Sequence, residues 1–311
     1  MSEPEIPESP APAADPPPRR TIFRGPKGIR PGWRICIFFL LSAALMLVCF
    51  TALHFFTGGS PHITASQLTP LGTGLTEGLI LLFTAVPALI MARIEGRSFA
   101  QYGLPGRSAF RGNFWIGAVV GFAAITACLL AIFALHGFRL TGLNIHGTTI
   151  LSATAAWGMA FVIVGLAEEF SFRGYLQYTL TTSRLGFWGA AILMSLVFGM
   201  AHSGNPGETK FGLLSVVIFG LLFCLFLRRT GNLWWAVGFH AGWDWGQTFF
   251  YGVPDSGLPP YHNLLNCSFG GPAWLTGGSV GPEASVFTPI VLGVVAVLFA
   301  RIYRANRYQA V

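Results

Sequence analysis

The chain has 311 residues, of which 53% are apolar, 14% aromatic and only 10% charged, against about 25% charged in a soluble domain. That deficit excludes an ordinary water-soluble globule, and the even spread of apolar segments excludes a soluble domain on a single anchor. Nineteen Lys and Arg against twelve Asp and Glu give a formal charge of +7, which membrane topology explains without a nucleic-acid surface.

Residues 1–34 run from a proline-rich stretch, MSEPEIPESPAPAADPPP, into a basic one, RRTIFRGPKGIRPGWR. With little to bury, this tail is expected to be disordered and drawn to anionic lipid headgroups. It makes a poor signal peptide, since its apolar segment starts late and no small-residue cleavage site stands out.

Eight apolar runs follow, at 35–55, 74–92, 114–135, 150–172, 187–201, 211–227, 233–250 and 285–303. Most are close to the roughly 20 residues that cross a bilayer as a helix. The predicted fold is therefore all-α: a polytopic membrane protein with about eight transmembrane helices over 35–303, ending in a basic tail at 304–311. With the amino terminus in the cytoplasm, 17 of the 19 Lys and Arg fall on the inner side, and only Arg139 and Lys210 fall outside. That asymmetry predicts a multi-pass protein of the cell membrane with both termini cytoplasmic. Cys36, Cys49, Cys128, Cys224 and Cys267 lack paired spacing and read as small apolar fillers. The longest connection, 251–284, has no basic residue and is expected outside.

An ionisable group inside a span costs about 2.5–3.5 kcal/mol on insertion scales, so each needs a partner, a wet cavity or a function. His54 and Glu77 lie near span ends, within reach of water. Glu169 and Arg173 are four apart in GLAEEFSFR and can neutralise each other. His202 ends the fifth run. His240 and Asp244 are four apart in FHAGWDWGQ and so share one helix face. The tryptophans around them read as packing and interface anchors.

Depth links these groups. With 1.5 Å of rise per residue, Glu168 and His202 both lie about 25 Å from the turn between the fourth and fifth helices. His240 and Asp244, counted from the turn before the seventh, fall at a similar depth once the polar extension 177–184 is allowed to stand out into the cytoplasm. One buried site can thus collect Glu168, His202, His240 and Asp244. Two carboxylates and two imidazoles suit acid–base chemistry on water: a poorly solvated glutamate takes a proton, a histidine holds the water, and two further groups receive the oxyanion. The alternative is a zinc set of Glu168, His202 and His240, though no H-E-x-x-H is present and the ligands come from three helices.

The ordered motifs E-E-x-x-x-R (Glu168, Glu169, Arg173), F-x-x-x-H (Phe198, His202) and H-x-x-x-N/D (His240, Asp244) resemble those of the CAAX protease and bacteriocin-processing family, and FRGYLQ after the glutamates strengthens the match. The resemblance covers about 72–250, the motif-bearing core. It implies an intramembrane endopeptidase, a CAAX-type hydrolase that needs no metal or other cofactor and forms no covalent intermediate. Glu168 would be the general base and His202 its water-positioning partner. His240 and Asp244 would form the oxyanion site, Glu169 and Arg173 would hold the first motif together, and Phe198 would pack beside His202. An ionised aspartate would repel an oxyanion, so Asp244 is expected to be protonated or hydrogen-bonded to His240. The implied partners are membrane lipids and a peptide or protein substrate, lipidated or bacteriocin-like, with no nucleic acid. Two other functions use the same pocket: a non-catalytic immunity or peptide-binding protein, and a proton-coupled transporter.

Overall fold

The computed structural model describes residues 21–25, 28–57 and 67–310. The proline-rich stretch at the start of the amino-terminal tail lies outside the described residues. Ten helices follow one another: α1 (Pro31–Thr57), α2 (Pro70–Ile94), α3 (Gly112–Ala134), α4 (Thr148–Arg173), α5 (Tyr175–Thr181), α6 (Gly186–Ala201), α7 (Lys210–Thr230), α8 (Trp234–Asp244), α9 (Ala273–Thr276) and α10 (Phe287–Ile302). Two small antiparallel ladders complete the fold, β1 (Arg24–Gly25) with β2 (Gly28–Ile29) and β3 (Phe138–Leu143) with β4 (Leu265–Phe269). The chain is nearly all-α, and six of its helical segments are long and apolar enough to cross a membrane.

The seventh and eighth predicted runs form shorter helices. α8 has 11 residues and continues through a π turn at Trp245–Phe250, and α10 has 16. The length rule applies to helices that face lipid. α8 instead lies inside the protein: ten of its eleven residues are buried, and His240 is the exception.

Helix ends follow local chemistry. Thr69 caps α2 through Oγ1, accepting from the Gly72 N–H, with Pro70 at the first helical position. Thr209 caps α7 in the same way, and that helix stops at Gly231, whose left-handed φ of 79° favours glycine. The fourth predicted run is longer than expected, because α4 breaks at Gly174 and resumes as α5.

α8 is seated by glycine. A Cβ at Gly117 or Gly121 of α3 would lie 2.3 or 2.1 Å from a backbone oxygen of α8, and one at Gly238 or Gly242 of α8 would lie 2.0 Å from the Phe114 or Ala118 carbonyl oxygen. Two G-x-x-x-G faces therefore cross in backbone contact, the arrangement small residues permit where lipid offers no hydrophobic driving force. Phe239 and Trp243 of α8 pack with Phe223 and Phe219 of α7 beside this crossing.

Outside the bundle, β4 pairs with β3 and so pins the long loop after the π turn to the α3–α4 connection. Trp157 Nε1 donates to the Tyr261 carbonyl oxygen at 3.2 Å, tying that loop to α4. At the opposite side the carboxy-terminal residues fold back, and the Arg307 N–H donates to the Arg228 carbonyl while the Tyr308 ring packs on Phe187.

Gly238→Val is expected to force α3 and α8 apart and to cost about 1–3 kcal/mol or more, read as a lower unfolding midpoint in detergent. Gly293→Ala on α10, which has open space around it, should leave the midpoint unchanged. Equal midpoints for the two variants would mean that the crossing is not tight.

Candidate active site

The E-E-x-x-x-R spacing turns Glu169 and Arg173 inward on α4, where both side chains are 0% exposed, while adjacent Glu168 keeps 20% of its side chain accessible. Glu169 Oε1 accepts from Arg173 Nη1 at 3.4 Å and from His240 Nδ1 at 3.0 Å. One carboxylate oxygen thus joins α4 to α8. The Arg173 guanidinium lies over the Phe198 ring at 4.1 Å and near Phe223 at 5.5 Å, a contact that substitutes ring faces for water around a buried cation.

Because the partner at Nδ1 is a carboxylate oxygen, that nitrogen of His240 carries a proton. Nε2 then points away from Glu169, 3.6 Å from Glu168 Oε2 and 3.5 Å from Asp244 Oδ2. The ring stacks on Phe223 at 5.3 Å, which limits its rotation. Asp244 reaches His240 from one turn further along α8, the spacing that put both on one face.

His202 follows α6 in a short 3-10 turn. Its Nδ1 donates to the Phe198 carbonyl oxygen at 2.9 Å, so Nε2 keeps an open lone pair. Its ring meets the Phe198 ring edge-on at 4.6 Å. Phe198 therefore touches both Arg173 and His202.

Glu168, His202, His240 and Asp244 line one cavity of about 680 Å³, a size that takes a small molecule or a short peptide segment. Three carboxylates that the sequence reading did not place there join them: Glu77 of α2, and Asp255 and Glu283 of the outer loop. Glu77 faces this cavity, not the aqueous end of its helix, and its Oε2 is buried with no hydrogen-bond partner. His54, by contrast, is exposed near the end of α1. In the loop, burial holds the Asp255 and Glu283 carboxyls above the ordinary carboxylate range. Thr248 Oγ1 donates to Asp255 Oδ2 at 2.7 Å. The signal for these loop residues was an acidic pair in a connection free of Lys and Arg.

Among the described residues no three His, Cys, Asp or Glu side chains converge to hold a metal ion. His202 and His240 each use Nδ1 on a protein acceptor, which turns both Nε2 atoms toward the cavity.

Arg173→Met leaves Glu169 buried without its guanidinium and is expected to cost about 3–5 kcal/mol, measured by thermal unfolding. Combining it with Glu169→Gln should recover part of that loss. A single variant as stable as wild type would show that the two charges do not depend on each other.

Two comparisons bear on identity. No curated protein matches the chain. Residues 149–246 match the family model described as Type II CAAX prenyl endopeptidase Rce1-like, a segment that runs from the start of α4 to just past Asp244 and so contains every motif residue described above. This segment, about a third of the chain, is similar to the Rce1-like type II CAAX prenyl endopeptidases, and with six helices long and apolar enough to cross a membrane around it, the match supports a membrane-embedded protease of the CAAX type.

Proposed function

We propose that the protein hydrolyses a peptide bond of a membrane-associated substrate with water activated between Glu168 and His202. One observation carries this reading: of the paired glutamates, only Glu168 faces the cavity, while Glu169 is committed to Arg173 and His240. The accessible carboxylate takes a proton from water, and the oxygen attacks the carbonyl carbon. His202, whose Nε2 lone pair is open, accepts the water's other hydrogen and sets its direction. His240, protonated at both ring nitrogens, donates its Nε2–H to the oxyanion, with Asp244 orienting the ring from 3.5 Å. The proton on Glu168 then passes to the leaving nitrogen, and no covalent intermediate forms. Ser171 takes no part as a nucleophile in this scheme, since its Oγ donates to Thr84 Oγ1 at 3.3 Å.

The substrate is a membrane-held peptide or protein, lipidated or bacteriocin-like. Both termini sit in the cytoplasm, a placement supported by the gathering of Arg34, Arg93, Arg97, Arg184, Arg228 and Arg304 at one end of the bundle.

Glu168→Gln should lower kcat/KM about 10²–10⁴-fold with an unchanged unfolding midpoint, and His202→Ala should do the same. Full hydrolysis by purified Glu168→Gln protein would end this mechanism. Protection against a bacteriocin that survives Glu168→Gln would point to the non-catalytic use of the pocket.

A further inference from the structure

A buried guanidinium presents a flat plane and a fork of N–H groups within it, and each needs something against it. On Arg173 aromatic rings cover the plane, with the Phe198 and Phe223 centroids 4.1 and 5.5 Å from Cζ. Within the plane, Nη1 donates to Glu169 Oε1. Nε and Nη2, whose N–H groups run parallel along the other edge, are buried with no hydrogen-bond partner among the described residues. Donors on a charged group left unpaired in the interior bear their full desolvation cost.

α6 and α7 build the seat for that edge. A Cβ at Gly220 of α7 would lie 2.7 Å from Arg173 Nη2 and 2.8 Å from Ser195 Oγ of α6, so the chain has no side chain where guanidinium and hydroxyl approach each other. Ser195 is 0% exposed, and its Oγ also has no partner among the described residues. The two groups are therefore close neighbours that make no hydrogen bond with each other, a relation that one water closes. Gln177 of α5 reaches the same stretch of α7: Cys224 Sγ donates to its Oε1 at 3.2 Å, and its buried Nε2 is a further donor without a partner.

Donors predominate here, so the partner they call for is an acceptor. Arg173 and Glu169 already balance in charge, so that acceptor is neutral. Water is the neutral acceptor that buried polar groups ordinarily hold. None of Arg173, Gln177, Ser195 and Gly220 lines the catalytic cavity, which separates this water from the one that attacks the substrate.

We infer that an ordered water accepts from the Nε and Nη2 edge of Arg173 and donates to Ser195 Oγ, and that Ser195 is through it a positioning residue for His240. The positioning role rests on the peptidase reading; the water does not. Stacked rings resist tilting of a guanidinium but let it slide within its own plane, and the Nη1 contact with Glu169 is long, at 3.4 Å. A hydrogen bond on the opposite edge stops that slide. Glu169 Oε1 also accepts from His240 Nδ1 at 3.0 Å, so a displaced guanidinium moves the carboxylate and, with it, the imidazole that faces the cavity.

A density map of the wild-type protein that resolves waters tests the first half. One water within about 3 Å of both Arg173 Nη2 and Ser195 Oγ is expected; a direct Nη2 to Oγ hydrogen bond, or no water between the two, overturns it. Ser195→Ala removes the hydroxyl without adding bulk, and its unfolding midpoint reports that it folds. It should lower kcat about tenfold with KM unchanged, and it should shift the imidazole proton resonance of His240 at Nδ1, identified by its loss in His240→Gln. A serine that only fills space would leave that resonance where it is. Wild-type kcat and an unmoved resonance in folded Ser195→Ala overturn the positioning role. Wild-type protein that hydrolyses no peptide would count against the peptidase reading, and the map and the resonance would still decide whether the water exists and whether it reaches His240.

Discussion

One carboxylate holds the site together. Glu169 is wholly buried, and its Oε1 meets both the Arg173 guanidinium and the His240 imidazole. Burying such a group without partners would be prohibitively costly, and removing one partner of a buried pair is far more damaging than replacing both. The same contact has geometric reach. Arg173 lies over Phe198, which orients His202, and His240 stacks on Phe223 of α7. A single ionic centre thereby fixes four helices relative to one another, and of the two adjacent glutamates it leaves Glu168 open to the cavity.

The glycine crossing supplies the second constraint. α8 can be short and buried because α3 approaches it to backbone distance, which removes the need to span lipid alone. With one face of α8 pressed on α3 in this way, His240 is the residue of that helix left partly open. Gly165 of α4 makes a further close approach, where a Cβ would sit 2.9 Å from the Val237 carbonyl oxygen. Glu169 and His240 can meet because no side chain separates their helices at that level.

Much of this arrangement was legible from local spacing. Helical periodicity alone pairs Glu169 with Arg173 and His240 with Asp244, since residues four apart share a face in any α-helix. Counting rise from the turns brings Glu168 and His202 to one depth, and both line one cavity. What could not be read was rotation about the helix axes: nothing in the chain says that Glu169 turns toward His240, or that Glu77 looks inward. The return of Asp255 and Glu283 over the site depends on the path of a long loop, which no periodicity encodes. The G-x-x-x-G faces of α3 and α8 went unread in the sequence, and nothing in the chain pairs one with the other. The short α8 escaped a length rule that assumes lipid on every side.

The α3–α8 crossing also has a temporal side. α3 emerges from the ribosome well before its mate, with four helices, α4 to α7, made in between. Until α8 arrives, the glycine-lined groove of α3 has no protein against it, and the Glu169–Arg173 charges lack their imidazole. The most polar layer of the bundle is therefore completed only when α8 joins it, after four intervening helices have been made.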